Sequence, residues 1–350
     1  RRTEIQAVGT TFSVEDMIAE EDAVLTFTHK GYVKRTAAAT YRSQRRGGRG
    51  LQGAKAKEED FVEHLFVANT HDYILFFTDK GKCHWLKVHE IPPGGRAARG
   101  RAIVNLLGTE PGEKVKAFVS VKTFDEEKYI VMATRKGIIK KTKLSAYGKP
   151  RKGGIYAIDI REGDELIEAK ITNGENDIVL GTREGKSIRF PETDARPMGR
   201  KTRGVIGIKL STKDDYVVGM VVVRREGTLL VATEKGFGKR TEVMQYRIQK
   251  RSGKGVLAMR TNKKVGKMVA IMEVVDTDDL MVITDTGVLI RQPVDSIRTI
   301  GRVTQGVKLI RLDEGAKISS LSRVVHVEAE NTEEDTTDQE EPAGEESVEV

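Results

Sequence analysis

Tyr129-Ile-Val-Met-Ala-Thr-Arg-Lys-Gly-Ile-Ile-Lys-Lys-Thr-Lys143 carries in fifteen residues the pattern on which the fold depends. Tyr129 to Ala133 is nearly continuous in apolar and β-branched residues, which predicts a short strand with both faces covered. Gly137 then supplies the left-handed position that a short hairpin loop needs, and a second strand follows. Five other segments repeat the pattern: AVLTFTHKGYVKRT (23–36), YILFFTDKGKCHWLK (73–87), DIVLGTREGKSIRFP (177–191), TLLVATEKGFGKRTE (228–242) and DLMVITDTGVLIRQP (279–293). Their turn glycines are Gly31, Gly81, Gly137, Gly185, Gly236 and Gly287, at intervals of 50, 56, 48, 51 and 51 residues. Thr stands three places before each: Thr28, Thr78, Thr134, Thr182, Thr233 and Thr284. Its hydroxyl can bond the turn backbone, so these Thr residues read as structural. A second glycine recurs in phase at Gly50, Gly100, Gly154, Gly204, Gly255 and Gly306. Two markers locked together six times define an internal repeat.

Each repeat predicts four short strands: the hairpin around the turn glycine, then a second pair such as Gly204–Leu210 with Tyr216–Val223. Four strands in about fifty residues, six times over, is the arithmetic of a radial array of small sheets, because one such sheet cannot bury its own faces. The expected class is all-β, a propeller-like disc of six four-stranded blades. Trp85 is the only Trp, so the recurrent-Trp signatures of other propellers are missing. The single departure is Ser13 to Glu20, where Ser13 could cap one or two helical turns.

Composition supports many shallow cores. The 350 residues are 38% hydrophobic, 32% charged and only 5% aromatic. No run approaches the eighteen apolar residues of a membrane span. One cysteine, Cys83, excludes a disulfide framework and suits a reducing cytoplasm. The chain opens Arg-Arg-Thr-Glu without Met or an apolar leader, as a fragment of a longer protein would. The net charge of +8 conceals a strong polarity. Residues 327–350 hold eleven acidic side chains and no Lys or Arg; the first 326 hold all 60 Lys and Arg against 41 Asp and Glu, a formal +19. Such a body calls for a polyanion, and nucleic acid is the leading candidate.

The basic residues recur in step. The fourth residue after each turn glycine is Arg35, Trp85, Lys141, Arg189, Arg240 and Arg291, and Lys34, Lys140 and Lys239 precede three of them. The approach to the second glycine carries Arg45, Arg46 and Arg49, then Arg96 and Arg99, Arg151 and Lys152, Arg200, Lys201 and Arg203, Lys250, Arg251 and Lys254, and Arg302. Equivalent positions on radial blades predict a belt of positive charge; solvated residues that keep edge strands apart are the bland alternative. Duplex DNA on such a belt must bend, at a cost on the order of 1–6 kcal/mol for 40–90° over 20–30 base pairs. With one or two phosphates per blade, roughly 6–12 contacts would hold it, and affinity would fall about 10³–10⁵-fold between 50 and 200 mM salt. There is no recognition helix, no zinc spacing and few aromatics for stacking, so backbone wrapping is expected rather than base reading.

The most singular stretch is Gln44-Arg45-Arg46-Gly47-Gly48-Arg49-Gly50. Its three Arg grip phosphate bidentately, and its three Gly allow close main-chain approach and an anion nest. The heptad resembles the gyrase A box, which usually has Lys where this chain has Arg49. With Arg1–Ile5, Asn69–Asp72 and Val104–Leu107, it makes residues 1 to about 326 similar to the C-terminal DNA-wrapping domain family of DNA gyrase A subunits. That resemblance implies a six-bladed β-pinwheel whose blades exchange strands, with double-stranded DNA wrapped around the rim in a positive crossing. The implied organisation is a lead-in segment 1–23, a wrapping domain 24–326 and a disordered acidic tail 327–350. It also implies a cytoplasmic holoenzyme, an A2B2 assembly of gyrase A with gyrase B that introduces negative supercoils. The cleaving tyrosine, the ATP site and the magnesium site belong to other parts of that assembly. The fragment alone is then monomeric, has no cofactor and catalyses nothing.

The other blades carry only degenerate boxes, the nearest being QKRSGKG at 249–255. Tyr41 reads as a packing or DNA-contact residue. Cys83, His84 and His89 cluster without any common metal spacing. The acidic tail either solubilises or competes with DNA for the rim. Two rivals remain: the equivalent domain of the topoisomerase IV C protein, and a protein-binding propeller whose basic rim is incidental.

Overall fold

The computed structural model describes residues 17–28, 30–37, 62–95, 98–225, 227–286, 289–313 and 315–324. Ser13, Tyr41, the heptad Gln44–Gly50, Arg96, Gly287 and the segment 327–350 lie outside them.

The first repeat forms β1 (Asp22–Thr28), β2 (Tyr32–Ala37) and β3 (Val62–Asn69). The second forms β4 (Tyr73–Thr78), β5 (Lys82–Lys87), β6 (Arg101–Ala102) and β7 (Val115–Val121). The third forms β8 (Tyr129–Thr134), β9 (Ile138–Lys143), β10 (Ile155–Tyr156) and β11 (Leu166–Thr172). The fourth follows with β12 (Asp177–Thr182), β13 (Lys186–Pro191), β14 (Val205–Ile206) and β15 (Val217–Val223). The fifth has β16 (Thr228–Thr233), β17 (Phe237–Glu242), β18 (Val256–Leu257) and β19 (Met268–Val274). The last has β20 (Asp279–Thr284), β21 (Leu289–Pro293), β22 (Val307–Lys308) and β23 (Ile318–Val324).

Each hairpin forms where the Thr-x-x-Gly turn places it. The amide of Gly137 donates to the Thr134 carbonyl at 3.0 Å, and the Ile138 amide donates to the Thr134 hydroxyl at 3.2 Å. The same pair of bonds recurs at Thr78, where Gly81 and Lys82 are the donors.

The expected second pair is not a pair. Within a repeat, the long last strand joins the other edge of the central apolar strand, so β11 pairs with β8, with a bulge between Leu166 and Glu168. The two-residue strand leaves for the preceding sheet: β14 of the fourth repeat pairs with β9 of the third, Val205 opposite Ile139. The sheet orders are β3-β1-β2-β6, β10-β5-β4-β7, β11-β8-β9-β14, β15-β12-β13-β18, β19-β16-β17-β22 and β21-β20-β23. Among the described residues, five sheets each receive a strand from the following repeat. The sixth sheet has three described strands; the equivalent donor would follow Gly50, outside the described residues. The long edge strands line the inside of the array, and β23 lies beside β3, so the last sheet meets the first.

Both phased glycines belong to this exchange. Gly204, at φ +93°, lets the donated segment cross the preceding blade so closely that a Cβ would lie 2.3 Å from the Ile139 carbonyl. Gly185, at φ +81°, meets the returning chain from the other side, where a Cβ would lie 2.3 Å from the Met259 carbonyl. One backbone crossing therefore imposes both sequence markers.

The core is a series of inter-sheet layers. Ile130 and Met132 pack with Leu75 and Phe77 of the second sheet, while Val131 and Ala133 pack with Ile178 and Leu180 of the fourth. Alternation along one strand thus feeds two layers, which is why the run is apolar at every position. Each such aliphatic side chain, fully buried, contributes about 1.5–3 kcal/mol. Helical structure among the described residues comprises α1 (Ile103–Leu107), short 3-10 turns after second strands, and a 3-10 assignment at Met17 ahead of β1.

Candidate nucleic-acid interface

The in-phase cations separate into three structural classes. The fourth position after the turn glycine, expected on a charged belt, is a set of struts between blades. Lys141 forms a buried ion pair with Glu192 at 2.8 Å, on the 3-10 turn Glu192–Asp194 of the next blade. Arg189 donates to the Val243 carbonyl at 3.0 Å and pairs with Asp177 at 2.7 Å. Arg240 reaches the Ile297 carbonyl at 2.7 Å and also bonds Asp276. Arg35 donates to the Ile91 carbonyl at 3.3 Å. Trp85, the apparent exception in the sequence, plays the same part with its indole N–H, which donates to the Tyr147 carbonyl at 2.9 Å. Arg291, exposed on the last sheet, pairs with Asp279.

The third position is buried more deeply still. Lys34, Lys140 and Lys239 are 3%, 0% and 0% exposed. Their ammonium groups bond main-chain carbonyls of the following repeat: Gly95 for Lys34, Arg200 for Lys140, and Gly301, Arg302 and Thr304 for Lys239. Burial drives the Lys140 ammonium down to about 7, helped by the Arg200 charge and opposed by Asp159. Lys239 falls to about 8 for the same reason, with Arg302 adding to the effect. Burial lowers Lys34 as well.

These two columns therefore correct the expected belt at Lys34, Arg35, Lys140, Lys141, Lys239 and Arg240, and Arg189 is largely enclosed with them. The cause is strand exchange. The second strand of a hairpin has another strand and a loop paired along its outer edge, so its terminal cations are covered.

The third class stays outside. The second-glycine loops of the second, fourth, fifth and sixth repeats run along the outer side of the preceding blade, fixed by isolated parallel bridges Arg35–Pro93, Lys141–Pro197, Arg189–Ile248 and Arg240–Thr299. These loops expose Arg99, Arg151, Lys152, Lys201, Arg203, Lys250 and Lys254. Arg200, Arg251 and Arg302 are half-buried. Arg302 is braced by the Leu257 carbonyl at 2.7 Å, and Arg251 by the Asp194 carbonyl at 2.9 Å. Arg203 is held by Asp159 at 2.8 Å, an exposed pair that phosphate could displace. Three exposed members of this rim went unnoticed in the sequence: Arg196, Arg247 and Arg298. They stand eleven residues after Gly185, Gly236 and Gly287, an in-phase signal that extending the register would have found. Arg96 and the heptad Gln44–Gly50 lie outside the described residues.

His84 occupies the buried-lysine position in the second blade. Its Nε2 lies 3.8 Å from Glu113, whose carboxylate also accepts the Thr78 hydroxyl at 2.5 Å. Burial holds the imidazole below its ordinary value, opposed by Glu113. Among the described residues no three His, Cys, Asp or Glu side chains come together as metal ligands, and no helix is long and apolar enough to cross a membrane.

The family model for the DNA gyrase C-terminal domain, beta-propeller, matches residues 22–69, 72–122, 128–173, 176–224, 227–274 and 278–324, one match for each sheet. The chain belongs to this family. Among curated relatives, the DNA gyrase A protein of Haemophilus influenzae is 41% identical over 97% of the chain and 42% of its own length. The gyrase A protein of Clostridium acetobutylicum is 46% identical over 95% of the chain and 40% of its own. The chain therefore spans about two fifths of the relatives it matches. A solved structure, the C-terminal domain of DNA topoisomerase IV, superposes with a TM-score of 0.75 at 26% identity, over 88% of this chain and 95% of that one. The DNA gyrase A C-terminal domain superposes at 0.71 and 24% identity, a likeness of fold, over 87% and 100%. The expected all-β, six-bladed architecture is the architecture of this gyrase C-terminal domain family, and the sixfold match falls on the six repeats.

Proposed function

We propose that the chain binds, bends and wraps duplex DNA around its outer rim without reading sequence, as part of a gyrase A protein. The observation that supports this most strongly is the recurrence of exposed cations on second-glycine loops laid at equivalent places outside successive blades. Arg99, Arg151, Lys152, Arg200, Lys201, Arg203, Lys250, Arg251, Lys254 and Arg302 form the track, Arg196, Arg247 and Arg298 extend it, and the heptad Gln44–Gly50 and Arg96 share their sequence register. Phosphates are gripped by charge-assisted bonds from side chains whose bases are already fixed by backbone bridges, so little ordering is lost on binding. Lys34, Arg35, Lys140, Lys141, Arg189, Lys239 and Arg240 maintain the track without touching DNA.

In the A2B2 assembly the positive wrap presents one duplex segment for passage through another, and ATP, magnesium and the cleaving tyrosine act in other parts of that assembly. The test is topological. The chain, incubated with relaxed plasmid and a nicking-closing enzyme, shifts the linking number if it wraps. An unchanged linking number at saturation favours the protein-binding propeller. In full-length gyrase A combined with gyrase B, alanines at Gln44–Gly50 abolish negative supercoiling while ATP-driven relaxation persists.

A further inference from the structure

Lysine occupies the third place after the turn glycine in repeats one, three and five, where repeats two, four and six have His84, Ile188 and Ile290. Burying an ammonium is costly, so three in register need a physical reason. The reason is visible at their tips. The Lys140 Nζ donates to the Ala157 carbonyl at 2.5 Å and to the Arg200 carbonyl, joining the third repeat's donated segment to the fourth repeat's cation loop. The Lys239 Nζ gathers the Gly301, Arg302 and Thr304 carbonyls and the Thr304 hydroxyl, the last at 3.2 Å. The Lys34 Nζ donates to the Gly95 carbonyl at 3.1 Å, and the Thr36 hydroxyl to the Gly94 carbonyl at 2.9 Å. In each case a blade of odd number holds, from beneath, the loop that lies outside it.

We propose that Lys34, Lys140 and Lys239 are positioning residues for DNA wrapping: their buried ammonium groups pull the main chain of alternate rim loops inward and so aim Arg99, Arg200, Lys201, Arg203 and Arg302 at the phosphates. The inference rests on the wrapping function proposed above. An apolar side chain of the same length would leave convergent carbonyls unpaired, and the loop would swing outward to hydrate them. Among the described residues, three rim loops are held by ammonium groups, whereas 249–255, the heptad's nearest copy, lies over Ile188 instead.

Around Lys140 the facing charges are Arg200 and Asp159, the latter paired with Arg203; around Lys239 the facing charge is Arg302. Both ammonium groups lose their protons more easily than an ordinary lysine. Bound phosphates outside the loop favour the protonated form, so the wild type should bind DNA less tightly as pH rises from about 7 to 9.

The experiment compares wild-type full-length protein with Lys140→Met/Lys239→Met and with Val231→Ala, a core change directly across the sheet from Lys239 that leaves both ammonium groups in place. The double variant should unfold cooperatively and exchange the amides of 198–204 and 300–304 at least about tenfold faster than wild type. It should lower the slope of log affinity against log salt by about 2–4, since up to four loop cations are displaced. The plasmid linking-number shift at saturation should fall by half or more, and the decline of affinity from pH 7 to 9 should vanish. Val231→Ala should keep the wild-type slope, linking-number shift and pH profile. Should the double variant fail to fold, Lys239→Met alone carries the same expectation with a slope change of about 1. A variant with wild-type slope, linking shift and pH profile overturns the inference, as does equal loss of wrapping in Val231→Ala. If the wild type gives no linking-number shift, the wrapping reading fails. The exchange rates of 198–204 then still show separately whether the lysines hold their loops.

Discussion

Lys141→Met distinguishes a strut between blades from a contact with DNA. Lys141 and Glu192 are 4% and 1% exposed and 2.8 Å apart. Removing one partner of a buried pair costs about 3–5 kcal/mol, because the other charge is left without compensation. Here the orphaned carboxylate keeps three donors: the Thr172 hydroxyl at 2.7 Å and the amides of Gly174 at 3.0 Å and Asn176 at 2.8 Å. The loss should therefore fall near the lower bound, about 3 kcal/mol. With an unfolding entropy of about 2.1 cal/mol/K per residue over roughly 300 residues, that lowers Tm by about 5 °C. Calorimetry on Lys141→Met, Glu192→Gln and the double variant measures both the loss and the coupling between the two residues, expected at about 1–3 kcal/mol. DNA affinity is measured in parallel from 50 to 200 mM salt. The strut leaves the salt slope unchanged at temperatures where the variant is folded. A slope smaller by about 1 with an unaltered Tm would refute the structural assignment and restore Lys141 to the rim.

The exposed rim behaves in the opposite way: Lys201→Ala should lower the salt slope by about 0.9 and leave Tm within about 1 °C of wild type, checked by the same titration and calorimetry. Gly204→Ala forces a Cβ to 2.3 Å from the Ile139 carbonyl at φ +93°, and should destabilise by at least about 2 kcal/mol in denaturant titration. Trp85→Phe removes the bond to the Tyr147 carbonyl and part of the ring packed against the core, and should cost about 1–3 kcal/mol in the same titration. His84 is held below its unfolded value by burial. As pH falls through about 6.5 the unfolded chain therefore takes up the proton first and stability declines; His84→Leu should remove that acid-side slope in urea midpoints measured from pH 7.5 to 5.

The period, the all-β class and the blade number were legible because each repeat must solve one steric problem. Gly204 and Gly185 stand where backbones cross too closely for a Cβ, so the two markers recur wherever the crossing recurs. The Thr of the first three turns was legible for a similar reason, since a local bond such as that from Ile138 to the Thr134 hydroxyl needs only four residues of chain. The exposed loop cations around the second glycine were legible too, because solvent accepts charge anywhere and recurrence in register marked them out.

The fate of the other cations was not legible. In the sequence, Lys140 and Lys141 are two adjacent charges on the second strand of a hairpin, expected on the charged belt. Val205-Ile206, arriving from the next repeat, pairs outside that strand and turns the edge into interior. One lysine then bonds carbonyls and the other a carboxylate more than fifty residues away. Charge and spacing are properties of the chain, so the sequence alone determined the sixfold array and its basic character. Which side of a strand remains in water depends on what another repeat lays across it. Only the tertiary structure could therefore decide which cations hold the blades together and which ones stay in water.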